Sequence, residues 1–99
     1  MAKYMVCCVF DAAVGLHMRP FFVQTGGQAV RAFTDEVNRP GEENVLYQHP
    51  ADMSLIRIGE WDELTAVFER CEPEILVRGA HVRRDLSIPD PSGLPDGRN

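Results

Sequence analysis

The 99-residue sequence has no long apolar run, few cysteines and no excess of positive charge. It contains no span of about 18 apolar residues and no basic-then-apolar leader, so membrane insertion and export are not expected. The three cysteines are an odd number, and the neighbours Cys7 and Cys8 are poorly placed to bridge each other. All three are therefore predicted to be reduced, as in a cytoplasm.

Metal-binding and catalytic motifs are also missing. Zinc sites use spaced pairs such as C-x-x-C, whereas His17, His49 and His81 have no ligand spacing to the cysteines. No motif places a serine or cysteine nucleophile beside the His49/Asp52 or Asp11/His17 pairs. The sequence therefore predicts a non-enzymatic protein with no metal and no cofactor.

The net charge of −5 disfavours a generic nucleic-acid binder, whose affinity comes mainly from Lys and Arg on phosphates. The acid is concentrated in residues 40–76, which have two basic and nine acidic side chains, whereas residues 1–39 have four and three. An anion-binding surface could still form from residues 1–39, with or without the basic cluster Arg78, Arg83 and Arg84. The acidic stretch is either a solvated face or a surface that repels nucleic acid or recruits a basic partner.

One clear helix pattern is present. Thr25 and Gln28 have the spacing of a capping box, and apolar residues from Ala29 to Val37 repeat at helical spacing. These signals predict a helix over residues 26–38. Gly26 and Gly27 at its start offer free N–H groups to a phosphate, but a plain turn is favoured because two glycines fall far short of a phosphate-binding motif.

Apolar runs predict the strands. Residues 4–10 are expected to form a buried central strand, and residues 53–60 a strand buried mainly on one side. Residues 65–71 are predicted to pair back as a hairpin strand, although their pattern also fits a helical turn. Residues 12–18 are expected to be a loop or a short strand at the sheet edge.

The remaining segments are predicted to be irregular. Residues 42–52 are interpreted as a long surface loop and residues 61–63 as a turn. Pro73 is expected to break the strand pattern, which leaves residues 74–80 undecided between strand and helix.

These elements together predict an α+β fold. A small, mostly antiparallel sheet would pack against one main helix in a single domain over residues 1–84. Residues 85–99 are rich in Pro and Gly and are predicted to be a flexible, disordered tail. The small core and the exposed sheet edges predict a homodimer.

Aromatic and basic residues lie close together before and within the predicted helix. Phe21 and Phe22, with Arg19, Arg31 and Arg39, could bind single-stranded DNA by stacking bases on rings and pairing guanidinium groups with phosphates. The alternative is that the phenylalanines pack in the core, as aromatic residues of small domains commonly do. At least one of the two is expected to do so.

An ordered set of short motifs resembles the small nonstructural protein of gokushovirus-type microviruses, which are bacteriophages with single-stranded circular DNA genomes. The resemblance covers roughly residues 4–78. The matching residues are Val9-Phe10-Asp11, Met18 to Phe22, Ala29 to Asp35, Val37-Asn38, His49-Pro50, Asp52, Leu55, Ile58-Gly59 and Trp61-Asp62. The chain departs from the family at Ala51, usually acidic, at Met53, usually Phe, and in its longer tail.

The resemblance implies a non-enzymatic phage protein in the cytoplasm of the infected bacterium. It would bind single-stranded DNA during genome replication or packaging. The family's recurrent residues include Arg19, Phe21, Phe22, Arg31 and Asn38, which overlap the stacking-plus-cation set. The charge distribution leaves a second hypothesis: residues 40–76 would form an acidic interaction module that docks onto a basic replication or capsid protein.

Overall fold

Residues 2–84 are described by the structure, a computed structural model, and the tail predicted over residues 85–99 lies outside them. The described chain forms a five-stranded antiparallel sheet and three helices. The strands are β1 (Lys3–Asp11), β2 (Leu16–His17), β3 (Phe21–Val23), β4 (Met53–Asp62) and β5 (Phe68–Arg78). The helices are α1 (Gly26–Val37), α2 (Val45–Gln48) and α3 (Gly79–Val82), with a 3-10 turn at Pro50–Asp52.

The two central strands are β1 and β4, which pair along almost their whole length. β5 pairs with the other edge of β4, and β2 and β3 both pair with the remaining edge of β1. The predicted α+β class is therefore confirmed, with a small antiparallel sheet and one main helix.

The main helix begins and ends within one residue of its predicted limits. The Thr25 hydroxyl accepts a hydrogen bond from the N–H of Gln28 at 3.1 Å, as the capping box predicts. The Gln28 side chain reaches back one residue further than expected, because its carbonyl oxygen accepts the N–H of Gln24 at 2.8 Å. The start of the helix is thus satisfied by its own side chains.

All three helices contribute to one side of the sheet, which we call the closed face. Val30 and Phe33 of α1, Leu46 of α2 and Val82 of α3 pack there. The buried residues of this core are Cys7, Val9, Ala29, Phe33, Val37, Leu46, Met53 and Leu55. We call the opposite side, which contains Val6, Cys8 and Ile56, the open face. Within residues 2–84, no helix packs against it.

The irregular segments are more ordered than the sequence predicted. The long loop over residues 42–52 contains α2 and the 3-10 turn, and buried Asn44 begins α2 by accepting the N–H of Leu46. The predicted turn at residues 61–63 was placed too early, because β4 continues to Asp62. The reversal follows it, with Ala66 in the left-handed region at φ 63°.

Pro73 does not end the strand, contrary to prediction. The pairing of β4 with β5 shifts register here: Arg57 lies opposite Glu74, but Gly59 lies opposite Arg70. Pro73 therefore occupies an irregular stretch of an outer strand, where its missing N–H costs no ladder hydrogen bond. The undecided residues 74–80 contain the end of β5 and the beginning of α3.

Candidate functional site

Strand alternation sends neighbouring side chains to opposite faces of the sheet. Cys7 is fully buried in the core of the closed face, whereas the next residue, Cys8, lines a groove on the open face. Likewise, Phe21 packs against the closed-face core and Phe22 turns to the open face, where 45% of its surface is exposed. The two predicted stacking residues are therefore separated by the sheet.

Four aromatic rings meet on the open face, and we call them the aromatic cluster: Tyr4, Phe22, Trp61 and Phe68. Trp61 is at the centre, with ring centroids 6.0 Å from Tyr4, 5.5 Å from Phe22 and 6.3 Å from Phe68. Phe68 remains 64% exposed. The cluster thus offers ring surface to solvent on a rigid sheet.

An apolar depression of about 420 Å³ adjoins the cluster, and we call it the groove. Phe68 belongs to both the cluster and the groove. The other residues lining the groove are Val6, Cys8, His17, Met18, Pro20, Ile58, Arg70, Cys71 and Pro73. The cluster and the groove therefore form a continuous surface across β1, β4 and β5.

Basic side chains of β5 lie on the open face. Arg70 pairs with Gly59 and lines the groove, and Arg78 pairs with Ser54 further along the same side. Arg19 is exposed in the connection between β2 and β3, between two residues that line the groove.

Acidic side chains of β4 and β5 lie mainly on the other side. Glu60 and Glu69 pair directly with each other, and Glu60 lies opposite Met5, a closed-face residue. Arg57 is on the same side, with its guanidinium 3.6 Å from Glu60 and 3.7 Å from Glu74. The carboxylates of these paired strands therefore lie mainly away from the open face, where Glu63 is an exception because it lines the depression formed by the aromatic cluster.

Comparison with protein-family models gave a match to the family described as Phage ORF5 protein, over residues 4–82. The chain belongs to the Phage ORF5 protein family. The match includes the aromatic cluster and the groove, and it confirms the predicted bacteriophage origin. Searches of curated proteins and of solved structures each gave no match.

The five residues predicted to bind DNA do not form one surface in this Phage ORF5 family protein. Phe22 lies at the open face, and Arg19 is exposed in the connection between β2 and β3, next to residues that line the groove. Phe21 packs against the closed-face core, and Arg31 is exposed on α1. Arg39 follows α1 and forms ion pairs with two acidic residues.

The ion pairs of Arg39 compensate its charge locally. Its guanidinium donates hydrogen bonds to Glu36 and lies 3.5 Å from the carboxylate of Glu43. The hydrogen bond from Arg39 helps to lower the pKa of Glu43, after a larger effect of the backbone N–H. Arg39 is therefore less available to an external phosphate than Arg19 or Arg70.

Asn38, which the resemblance marked as recurrent, has a structural role in the Phage ORF5 fold. Its side-chain amide donates to the carbonyl groups of Thr34 at 2.8 Å and Val82 at 2.9 Å, and its oxygen accepts the N–H of Arg84 at 2.6 Å. A single side chain thus joins the end of α1 to the segment after β5.

The Gly26-Gly27 pair gives no support to a phosphate site in this Phage ORF5 family protein. The Thr25 hydroxyl already accepts the N–H of Gln28. A methyl group added at Gly26 would lie 3.9 Å from Met5, and one added at Gly27 would lie 3.8 Å from the Thr25 hydroxyl, which are ordinary contact distances. Neither glycine is required by a close backbone approach, as the plain-turn interpretation expects.

Sequence reasoning missed Tyr4, Trp61, Phe68 and Arg70 as members of the candidate site. Trp61 was assigned to a turn, so no face was predicted for it. Simple strand alternation from Ile56 would put Trp61 on the opposite side. The register irregularity between Arg57 and Gly59, which the sequence does not show, brings Trp61 to the open face. In the described residues of the Phage ORF5 chain, no cluster of His, Cys, Asp or Glu could hold a metal ion, and no helix is long and apolar enough to cross a membrane.

Proposed function

We propose that this phage protein binds single-stranded DNA through its open face, without enzymatic activity, during genome replication or packaging of a gokushovirus-type microvirus. The site of action would be the cytoplasm of the infected bacterium. The observation that carries the proposal is the aromatic cluster, whose rings are exposed on the open face beside Arg70, which lines the adjoining groove. Aromatic rings on a sheet bind unpaired bases without sequence preference, because every base has a π-face.

Stacking would supply most of the affinity, because the open face has few cations. Each stacked base contributes about 1–3 kcal/mol. Each phosphate neutralised on a single strand contributes a slope of about −0.7 to the logarithmic salt dependence. Contacts from Arg19 and Arg70 would give a slope of about −1.4, far shallower than that of a basic DNA-binding protein.

Trp61 provides a direct assay, since it is the single tryptophan of the chain. Titration with oligothymidylate at low salt should quench its fluorescence as a base stacks on the cluster. An unquenched Trp61, with no binding detected by anisotropy of a labelled oligonucleotide, would contradict the proposal. Duplex DNA should compete poorly, because its bases are already stacked.

Phe22→Ala should weaken oligothymidylate binding by roughly 5- to 100-fold, the equivalent of losing one stacked base. Leu64→Ala is the matched control, because Leu64 is 76% exposed in the turn after β4 and outside both the cluster and the groove. Equal affinities of the two variants would remove the cluster from the proposed DNA site.

The acidic interaction module is the second candidate. The observation that favours it is the row of exposed carboxylates on the outer strand β5, at Glu69, Glu72 and Glu74. Its expected partner is a basic viral replication or capsid protein. A stoichiometric complex that survives nuclease treatment during purification from infected cells would favour this candidate over DNA binding.

A further inference from the structure

The groove differs from the aromatic cluster in the side chains that line it. The cluster lines a shallow depression of about 580 Å³ whose walls are mainly aromatic rings, whereas aliphatic and thiol side chains such as Val6, Cys8 and Ile58 line the groove. Its volume of about 420 Å³ is within the range of small-ligand sites, about 300–1,000 Å³. A flat aromatic group of modest size therefore has space to enter.

The groove also has a basic side chain in its wall. Arg70 lines it from β5, and Arg19 follows Met18 on the opposite side. A ligand with an apolar flat part and an attached anion would satisfy both features. A nucleotide has this chemistry, because its base is flat and its phosphate accepts hydrogen bonds from guanidinium groups.

We infer that the groove is a nucleobase pocket, which receives one base of a strand whose neighbouring bases stack on the aromatic cluster. This inference rests on the proposed function and adds a second subsite to it. Phe68 connects the two subsites, since it contacts Phe22 in the cluster with ring centroids 6.0 Å apart and also lines the groove. The path of the strand therefore runs across the sheet from Trp61 toward Arg70.

Charge favours a nucleotide over a second copy of the chain as the occupant. Two open faces packed about a twofold axis would each present Arg70 and Arg78, with Glu63 at the aromatic cluster. The acids that pair with each other or with Arg57 lie on the opposite side. Like charges would then meet across an apolar interface, which is unfavourable. A strand of phosphates complements these arginines.

Cys71 reports on the groove without any mutation. It lines the groove and is half-buried, whereas Cys7 and Cys8 are buried. Burial also raises the pKa of both buried thiols, that of Cys7 to about 11, so they are poor nucleophiles at neutral pH. A maleimide should therefore modify Cys71 first, as peptide mass spectrometry can verify.

The experiment measures the rate of Cys71 modification together with Trp61 fluorescence during titration with an oligothymidylate of about ten nucleotides, a length within the range of single-strand sites. We expect fluorescence quenching and at least tenfold protection of Cys71 at saturation. Quenching without protection would overturn the nucleobase pocket and leave DNA binding at the cluster intact. If neither fluorescence quenching nor protection of Cys71 is seen at low salt, both the proposed function and the nucleobase pocket are overturned.

Modification in the reverse order gives an independent test. Protein already modified at Cys71 should bind the oligonucleotide about tenfold more weakly, while Cys71→Ser treated with the same reagent should keep its affinity. Unchanged affinity after modification would overturn the pocket. If Cys71 reacts slowly without DNA and faster when the protein is diluted, a second copy of the chain covers the groove. That result would also overturn the nucleobase pocket.

Arg70→Gln and Arg31→Gln separate the groove from the helix. Both arginines are exposed, but only Arg70 lines the groove. We expect Arg70→Gln to weaken binding several-fold and to make the salt slope about 0.7 shallower, and Arg31→Gln to change neither. Equal effects of the two substitutions would contradict the path across the open face.

Discussion

The two faces of the sheet are built from alternate residues of the same strands, yet they differ in almost every physical property. The closed face is covered by α1, and Phe33 and Leu55 there are almost completely buried. The open face has equally apolar residues, but Phe22 and Phe68 remain exposed. The comparison teaches that apolar residues in this chain have two uses, and the side of the sheet that a residue faces distinguishes them.

Most charged residues of β4 and β5 follow the same division, although Arg57 lies on the closed side with the acids that it pairs with. Arg70 and Arg78 are on the open face, while Glu60 and Glu69 lie on the closed side. A net charge summed over the sequence combines both sides and hides this difference. It is the local charge of a surface that a bound polyanion experiences.

The largest expected effect separates a ring of the closed face from a ring of the open face. Phe33→Ala should lower the free energy of unfolding by about 3–5 kcal/mol, because it leaves a cavity in the core. Phe68→Ala should lower it by less than about 1 kcal/mol, because the ring is mostly in solvent. Urea denaturation followed by circular dichroism measures both. Similar losses would mean that the open face is buried in solution.

A smaller effect distinguishes the neighbouring thiols Cys7 and Cys8 at alkaline pH. Burial holds the pKa of Cys7 at about 11, compared with 9.0 for an ordinary thiol. Between these values the unfolded chain loses a proton that the folded chain retains, so the free energy of unfolding falls as pH rises. The expected decrease is up to about 2 kcal/mol between pH 9 and 11, with almost none from this group below about pH 8.

Cys7→Ala should remove most of this dependence, and Cys8→Ala should leave most of it in place. Urea midpoints at a series of pH values between 8 and 11 would check both variants. If the free energy of unfolding falls more steeply with pH in Cys7→Ala than in Cys8→Ala, the pH dependence would belong mainly to Cys8 instead of Cys7.

The smallest expected effect concerns the surface ion pairs after α1. Arg39→Gln removes the contacts to Glu36 and Glu43, but exposed pairs contribute little because water and salt screen them. The urea midpoint should stay within experimental error, and so should oligonucleotide affinity. A clear loss of oligonucleotide affinity would indicate that DNA binds on the helix side of the molecule. Glu36→Gln would then test whether Arg39, released from its ion pair with Glu36, makes DNA binding tighter.

The sequence was sufficient for the elements that local chemistry determines. The capping box of Thr25 and Gln28 and the helical spacing up to Val37 predicted α1 almost to its ends. The apolar run around Cys7 and Cys8 predicted the central strand. These signals lie within one element, so no knowledge of the partner strand was needed.

The candidate site depends on pairing between strands, which the sequence does not show directly. Trp61 and Phe68 are brought together by the register of β4 and β5, and Phe22 joins them through β1. Pro73 was expected to end its strand, because local rules do not reveal an edge position with a register shift. Residues distant in sequence therefore formed the site, whereas the five predicted residues, chosen from one stretch, were divided between the faces.

Pro73 has a consequence for how copies of the chain could assemble. A sheet can extend into a neighbouring molecule only if its outer strand offers a regular row of backbone donors and acceptors. The outer strand here contains an imide nitrogen and a change of register, and the opposite edge of β1 is occupied by β2 and β3. On that side the edge strands β2 and β3 are only two and three residues long. Regular growth from copy to copy into an open-ended fibre is therefore disfavoured at both margins of the sheet.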